Sequence, residues 1–142
     1  DIHTVASEVP PEALLAANHF WPGELTIILK KSVLVPDVVT AGLNTIGVRI
    51  PDHWIPRGIV KQLGAPITGT SANRHGEPNM PNAQSVKDNF GCEIDLVIDD
   101  GTVGNGTAST LIDFSSSRPV ILREGSISRI KLEEICKCQI DI

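Results

Sequence analysis

The stretch from Asn44 to Ile50 constrains the fold more than any other part of the chain. Ile46, Val48 and Ile50 alternate with Thr45, Gly47 and Arg49 before Pro51-Asp52-His53 stops the run. A period of two sends alternate side chains to opposite faces of a strand. The aliphatic set therefore turns toward a core, and Thr45, Gly47 and Arg49 share the other face. Gly47 keeps that face low enough for a ligand to approach the backbone. An arginine on such a strand can grip a carboxylate or phosphate through parallel N–H bonds; from the strand alone, a surface ion pair fits equally well.

Helix and strand signals interleave around this segment. Pro10-Pro11-Glu12 opens a helix that Trp21-Pro22-Gly23 ends, and Leu25 to Leu29 reads as a strand closed by Lys30-Lys31. Pro36 to Thr40 is a short helical turn, and a second helix runs from the Pro51-Asp52-His53 cap to Leu63, with Gly64 as its stop. Ala65 to Thr68 is expected to be a short buried strand, Ser71 to Pro81 a loop, and Asn82 to Phe90 a helix ending at Gly91. Leu96 to Ile98, Ser109 to Phe114 and Pro119 to Leu122 read as further strands, with a Gly-rich loop from Asp99 to Thr107 after the first. A helix from Ser126 to Cys136, with Ser128 as its cap, completes the pattern. The alternation without internal repeat predicts one α/β domain over residues 1–142, built on a mixed sheet.

Composition narrows the function classes. The 142 residues are 41% apolar and 20% charged, so the chain can build a core. With three Phe, two Trp and no Tyr, that core must be mainly aliphatic. A net charge of −5 argues against a predominantly electrostatic nucleic-acid binder, though a local basic groove of Lys30, Lys31, Arg49, Arg74 and Arg123 is compatible with it. No apolar run is long enough to span a bilayer, and a cytoplasmic protein without membrane contact is expected. Asp1 to Thr4 show neither an initiator Met nor a leader pattern, so the chain is expected to derive from a longer one. Cys136 and Cys138 lack a second ligand pair, and reduced thiols are expected rather than a metal site.

Walker-type phosphate loops, Gly-x-Ser-x-Gly elbows and partnered nucleophiles are all missing, and no catalytic nucleophile is assigned. Gly104 and Gly106 begin a Gly-x-Gly, but Ser109 stands where a third glycine belongs. Gly69-Thr70-Ser71-Ala72-Asn73 follows the expected strand at Ala65–Thr68, where ligands gather in open α/β sheets. Ser71 and Asn73 can meet phosphate, base or ribose, or simply make a turn. Ser109 at the start of one strand and Arg123 at the end of another complete a set suited to an anionic nucleotide and a small zwitterion.

Five motifs in order then resemble the YrdC/TsaC family: Phe20-Trp21-Pro22-Gly23-Glu24-Leu25-Thr26, Gly47-Val48-Arg49-Ile50-Pro51, Thr70-Ser71-Ala72-Asn73 with Gly76 and Pro78, Ser109-Thr110, and Ile121-Leu122-Arg123-Glu124-Gly125. The resemblance covers about Pro11 to Gly125 and implies a twisted mixed sheet flanked by helices, with a concave binding cavity. It implies synthesis of threonylcarbamoyl-adenylate from L-threonine, bicarbonate and ATP, releasing pyrophosphate. The product serves N6-threonylcarbamoyladenosine formation at position 37 of tRNA. A non-catalytic RNA-binding or regulatory module, taking tRNA or double-stranded RNA as its partner, is the alternative within the same fold.

Carried over by motif, Arg49, Gly69 and Ser109 would contact L-threonine. Thr45, Ser71, Asn73, Asn79 and Arg123 would contact ATP, with Mg2+ arriving on the nucleotide and no protein metal site. Three departures stand out. Glu24 replaces the usual Pro of Pro-Gly-Pro-Leu-Thr, and His75 replaces a Ser. The family's opening Pro-Thr-x-Thr-x-Tyr-Gly-Leu and Lys-x-Arg segments are not in this sequence, so the chain is expected to be part of a longer enzyme or a natural remnant, and poorly active alone.

Overall fold

The computed structural model describes residues 2–74, 76–101 and 108–142. These form two compact units, one of residues 1–66 with 108–142 and one of residues 67–107.

The first unit is organised around strand β1, Leu25–Lys30, whose alternation buries Leu25, Ile27 and Leu29 completely. Strand β2 (Thr45–Val48) runs antiparallel to it, with Ile27 opposite Val48 and Leu29 opposite Ile46. Strand β3 (Thr110–Asp113) lies parallel on its other side, and β4 (Val120–Arg123) pairs antiparallel with β3. The order is therefore β2-β1-β3-β4, a mixed sheet as the sequence leads one to expect.

One face of this sheet is covered. Helix α1 spans Ile2–Val5 and α2 spans Pro11–Phe20, opening with a proline whose missing N–H costs nothing in the first turn. Ala13, Ala16 and Ala17 of α2 bring that helix close to Leu25, Ile27 and Leu29. Leu132 and Cys136 of α5 (Arg129–Cys136) join the same core with Ile112, Phe114 and Ile121. Burying this aliphatic set contributes roughly 1.5–3 kcal/mol per large side chain. Ser128 accepts from Lys131 N at the start of α5, the cap that the sequence predicts.

Helix α3 (Trp54–Leu63) starts at His53, whose ring accepts from Ile55 N, and stops at Gly64, which takes the left-handed φ of 70°. In the second unit, α4 (Ala83–Phe90) starts at Asn82, which accepts from Ser85 N at 2.8 Å.

Two expected strands are absent. Ala65–Thr68 is exposed and joins no ladder, with Ile67 45% exposed. Leu96–Ile98 likewise pairs with nothing among the described residues, and Leu96 is 74% exposed. Short apolar runs satisfy a strand pattern locally, but only a partner makes them strands. The Gly-x-Gly at Gly104 and Gly106, and His75, lie outside the described residues.

Candidate functional site

The uncovered sheet face carries the polar set. Register places Thr26, Ile28 and Lys30 of β1 beside Thr45 and Gly47 of β2, and beside Leu111 and Asp113 of β3. A Cβ built on Gly47 would touch Thr26 Cγ2 at 3.6 Å, which confirms that its open side lies on this face.

At one end of the face, where β1 and β3 begin and β2 and β4 end, three predicted residues gather. Ser109 directly precedes β3 and is only 6% exposed. Its hydroxyl lies 2.9 Å from Thr26 Oγ1 and accepts from Arg123 Nη2 at 3.3 Å. Arg123 Nε donates to the Ser109 carbonyl at 3.1 Å. Arg123 reaches this position through a β-bulge: Ile121 opposes Ile112, but Arg123, not Leu122, opposes Leu111. The extra residue turns Arg123 to the uncovered face; regular pairing would have sent it to the other.

Arg49 stands on the opposite side of β1. Its Nε donates to Gly23 O at 2.8 Å, and its Nη2 pairs with Glu24 Oε1 at 2.8 Å. Gly23 N in turn donates to Ile50 O at 2.9 Å, and Thr110 N donates to Glu24 O at 3.0 Å. The Gly23-Glu24 turn is thus stitched to the end of β2 on one side and to the start of β3 on the other. Gly23 is required there, because a Cβ would stand 2.4 Å from Phe20 O. Arg49 follows β2 and Arg123 ends β4, and both guanidiniums reach inward, one to Gly23-Glu24 before β1 and the other to Ser109 before β3.

Thr45 shares the face but opposes Lys30 at the far end of β1, about 13 Å along the strand from Arg49. Gly69, Ser71, Asn73 and Asn79 belong to the second unit. Gly69 has nothing within 4 Å of a built Cβ, and Ser71 and Asn79 are exposed. Because Ala65–Thr68 is not a strand, no strand end leads into Gly69–Asn73, and these residues rest on the motif resemblance. Asn73 donates through Nδ2 to Arg74 O and Glu77 O, at 3.0 and 2.8 Å, and so holds its own loop. Its Oδ1 is shielded and has no donor among the described residues, so a ligand group meeting it must itself donate.

A cavity of about 250 Å³ lies elsewhere in the first unit, lined by Glu8, Pro10, Lys30, Phe114 and Ser115 among others. None of the residues expected to contact threonine or ATP borders it, and Lys30 is its one member of the expected basic groove. Among the described residues no three His, Cys, Asp or Glu converge as metal ligands, and no helix is long and apolar enough to cross a membrane.

Of the five cations that a basic groove would use, four face carboxylates. Lys30 pairs with Glu8 at 2.8 Å, Lys31 with Asp37, Arg49 with Glu24 and Arg74 with Glu93. The Lys31 ammonium holds the Asp37 carboxyl below its usual range, and Glu93 pushes the Arg74 guanidinium up. Arg123 alone of the five bonds only to neutral oxygens among the described residues. Thr26 and Glu24 are the contacts that reading by motif left without a role. The alternation of β1 marks Thr26, and the departure from Pro marks Glu24.

Residues 1–125 match the Sua5/YciO/YrdC family, described as "Telomere recombination". The threonylcarbamoyl-AMP synthase of Pyrococcus abyssi is 39% identical over 94% of this chain and 39% of its own length. That of Bacillus subtilis is 35% identical over 94% of this chain and 39% of its length. The crystal structure of P. abyssi Sua5 complexed with L-threonine superposes with a TM-score of 0.89 at 38% identity, covering 98% of this chain and 41% of that one. E. coli YciO gives a TM-score of 0.78 at 30% identity, over 92% of this chain and 64% of its own. The chain spans about two fifths of the length of these two synthases.

Proposed function

The chain belongs to the Sua5/YciO/YrdC family, and from that premise we propose that it forms the threonine- and nucleotide-binding part of a threonylcarbamoyl-AMP synthase. The observation that carries this reading is the convergence of Arg49, Ser109 and Arg123 at one end of one uncovered sheet face, with Ser109 bonded to Arg123. Relatives named for the same activity, one of them crystallised with L-threonine, support it.

In this reading Arg49 takes the threonine carboxylate and the Ser109 hydroxyl contacts the rest of the amino acid, while Gly69 is assigned to threonine by motif alone. Arg123 faces the nucleotide phosphates, because its charge is not already met by a carboxylate. Thr45, Ser71, Asn73 and Asn79 are assigned to the nucleotide by motif alone, and Asn73 Oδ1 can accept from a base amino group or ribose hydroxyl. Mg2+ arrives with ATP. Threonine and bicarbonate give a carbamate, whose oxygen forms a bond to the α-phosphorus while the bond to pyrophosphate breaks. No protein nucleophile is needed. The protein acts by holding two anions in line and by meeting the charge that develops on the phosphoryl oxygens. The adenylate then donates its threonylcarbamoyl group to adenosine 37 of tRNA in the cytoplasm.

The test is threonine- and bicarbonate-dependent release of pyrophosphate by the intact protein. Arg49→Ala should raise the threonine requirement by about 10- to 100-fold, the usual loss of a hydrogen bond to a charged group. Lys31→Ala, which breaks a pair with Asp37 at the far end of β1, should leave it unchanged. Equal effects of the two substitutions would refute the assignment of Arg49.

A further inference from the structure

Resting on the reading that Arg49 takes a substrate carboxylate, we infer that Glu24 recognises the ammonium group of the same amino acid, so that the Arg49–Glu24 pair selects a zwitterion over a simple carboxylate. A guanidinium carries five N–H donors arranged as a planar fork. Here Nε donates to Gly23 O at 2.8 Å, and Glu24 Oε1 stands 2.8 Å from Nη2 as an ion pair. Nη1 and Nη2, which form the outer edge, donate no hydrogen bond among the described residues. A carboxylate can dock there with two parallel bonds and without displacing Glu24.

Glu24 is held beside that edge by its backbone. Its carbonyl accepts from Thr110 N, and the preceding Gly23 is bonded to Ile50 O. Only Oε1 is engaged; Oε2 has no partner among the described residues, and the side chain is 49% exposed. The site therefore presents a positive edge and a negative oxygen side by side, with no net charge between them. A monocarboxylate gains Arg49 but sits against the Glu24 carboxylate. An α-amino acid places its ammonium, about 3 Å from its own carboxylate, where that oxygen can accept from it. Selection comes from the repulsive element as much as from the attractive one. Proline at position 24 would supply neither.

The experiment compares L-threonine with 3-hydroxybutyrate, the same molecule without its amino group, by titration calorimetry on the intact protein and on Glu24→Gln. Glutamine keeps an oxygen for Arg49 Nη2, so the guanidinium stays in place and only the charge is lost. The unsubstituted protein should prefer threonine by about tenfold or more, equivalent to about 1.4 kcal/mol. In Glu24→Gln the preference should fall below about threefold, through weaker threonine binding and equal or tighter hydroxybutyrate binding. A merely structural Glu24 would weaken both ligands alike and leave the ratio unchanged, which would overturn the inference. Tighter threonine binding in Glu24→Gln would also overturn it, by showing that Glu24 competes for Arg49. If the unsubstituted protein binds neither ligand, or Arg49→Ala leaves both affinities unchanged, the reading of Arg49 itself fails and takes this inference with it.

Discussion

Replacing Thr110 by Val exchanges one hydroxyl for one methyl at a fully buried position, and the structure says what that oxygen does. Thr110 Oγ1 donates to Ile127 O at 2.7 Å and accepts from Gly125 N at 2.9 Å and Ile127 N at 3.0 Å. One side chain thus satisfies three backbone groups in the connection between β4 and α5. Without it a carbonyl loses its donor and two N–H groups lose their acceptor. Each buried orphan costs about 1–3 kcal/mol, and the half-buried setting of Gly125 and Ile127 holds the sum to about 2–4 kcal/mol. Thr110→Ser keeps the hydroxyl and removes a methyl, for about 1 kcal/mol of transfer and cavity energy. Valine should therefore be the worse substitution although it is the more apolar one. Urea unfolding monitored by circular dichroism measures the difference. With a slope of about 1–3 kcal/mol per M, Thr110→Val should lower the midpoint by roughly 1–2 M at unchanged slope. A Thr110→Val protein as stable as Thr110→Ser would refute the hub role of the hydroxyl.

Two further outcomes follow from the same unit. Gly125→Ala would place a Cβ 2.1 Å from Ala108 O and 2.7 Å from Ser109 C, so the loop must move away from Ser109; the variant should lose stability by about 2 kcal/mol or more and lose nucleotide affinity with it, and unaltered nucleotide binding in calorimetry would contradict this. Burial, reinforced by Cys138 and Glu12, pushes the Cys136 thiol up to about 12 from an ordinary value of 9.0. In the unfolded chain the thiol ionises near 9 while the folded protein keeps its proton, so this contribution to stability is complete below pH 9 and is lost as pH rises toward 12. Urea midpoints at pH 8 and 11 should therefore diverge less in Cys136→Ala than in the unsubstituted protein, and equal divergence would exclude the effect.

What could be read from the sequence was what short-range chemistry fixes. The apolar run of β1, the alternation in β2, the Ser128 cap and the Gly64 stop all depend on residues within one turn or one strand, and each appears as expected. The runs at Ala65–Thr68 and Leu96–Ile98 misled because a strand is a relation between segments, and composition cannot supply the partner. The candidate site shows the same division. Arg49 was identifiable from its own strand. The contact between Thr26 and Ser109 joins residues 83 positions apart, and the orientation of Arg123 depends on a bulge that no local pattern announces. The role of Glu24 rests on its ion pair with Arg49, 25 positions away, which no local pattern announces.

That pairing also bears on the alternative of a phosphate-tracking RNA module. Such a module gains affinity by releasing counterions from the nucleic acid as each phosphate meets a free cation. Lys30, Lys31 and Arg74 already face Glu8, Asp37 and Glu93, so a phosphate would have to compete with a carboxylate at each, and at Arg49 it would meet the negative charge of Glu24 beside the guanidinium. Exposed pairs of this kind contribute little to stability, on the order of 0–1 kcal/mol, but they cancel charge where a polyanion would need it. Arg123 keeps its charge, and it does so beside a nearly buried hydroxyl at the end of a sheet rather than along a groove. One guanidinium positioned by Ser109 with no carboxylate partner among the described residues, and one paired with Glu24, fit the proposal of two small charged ligands.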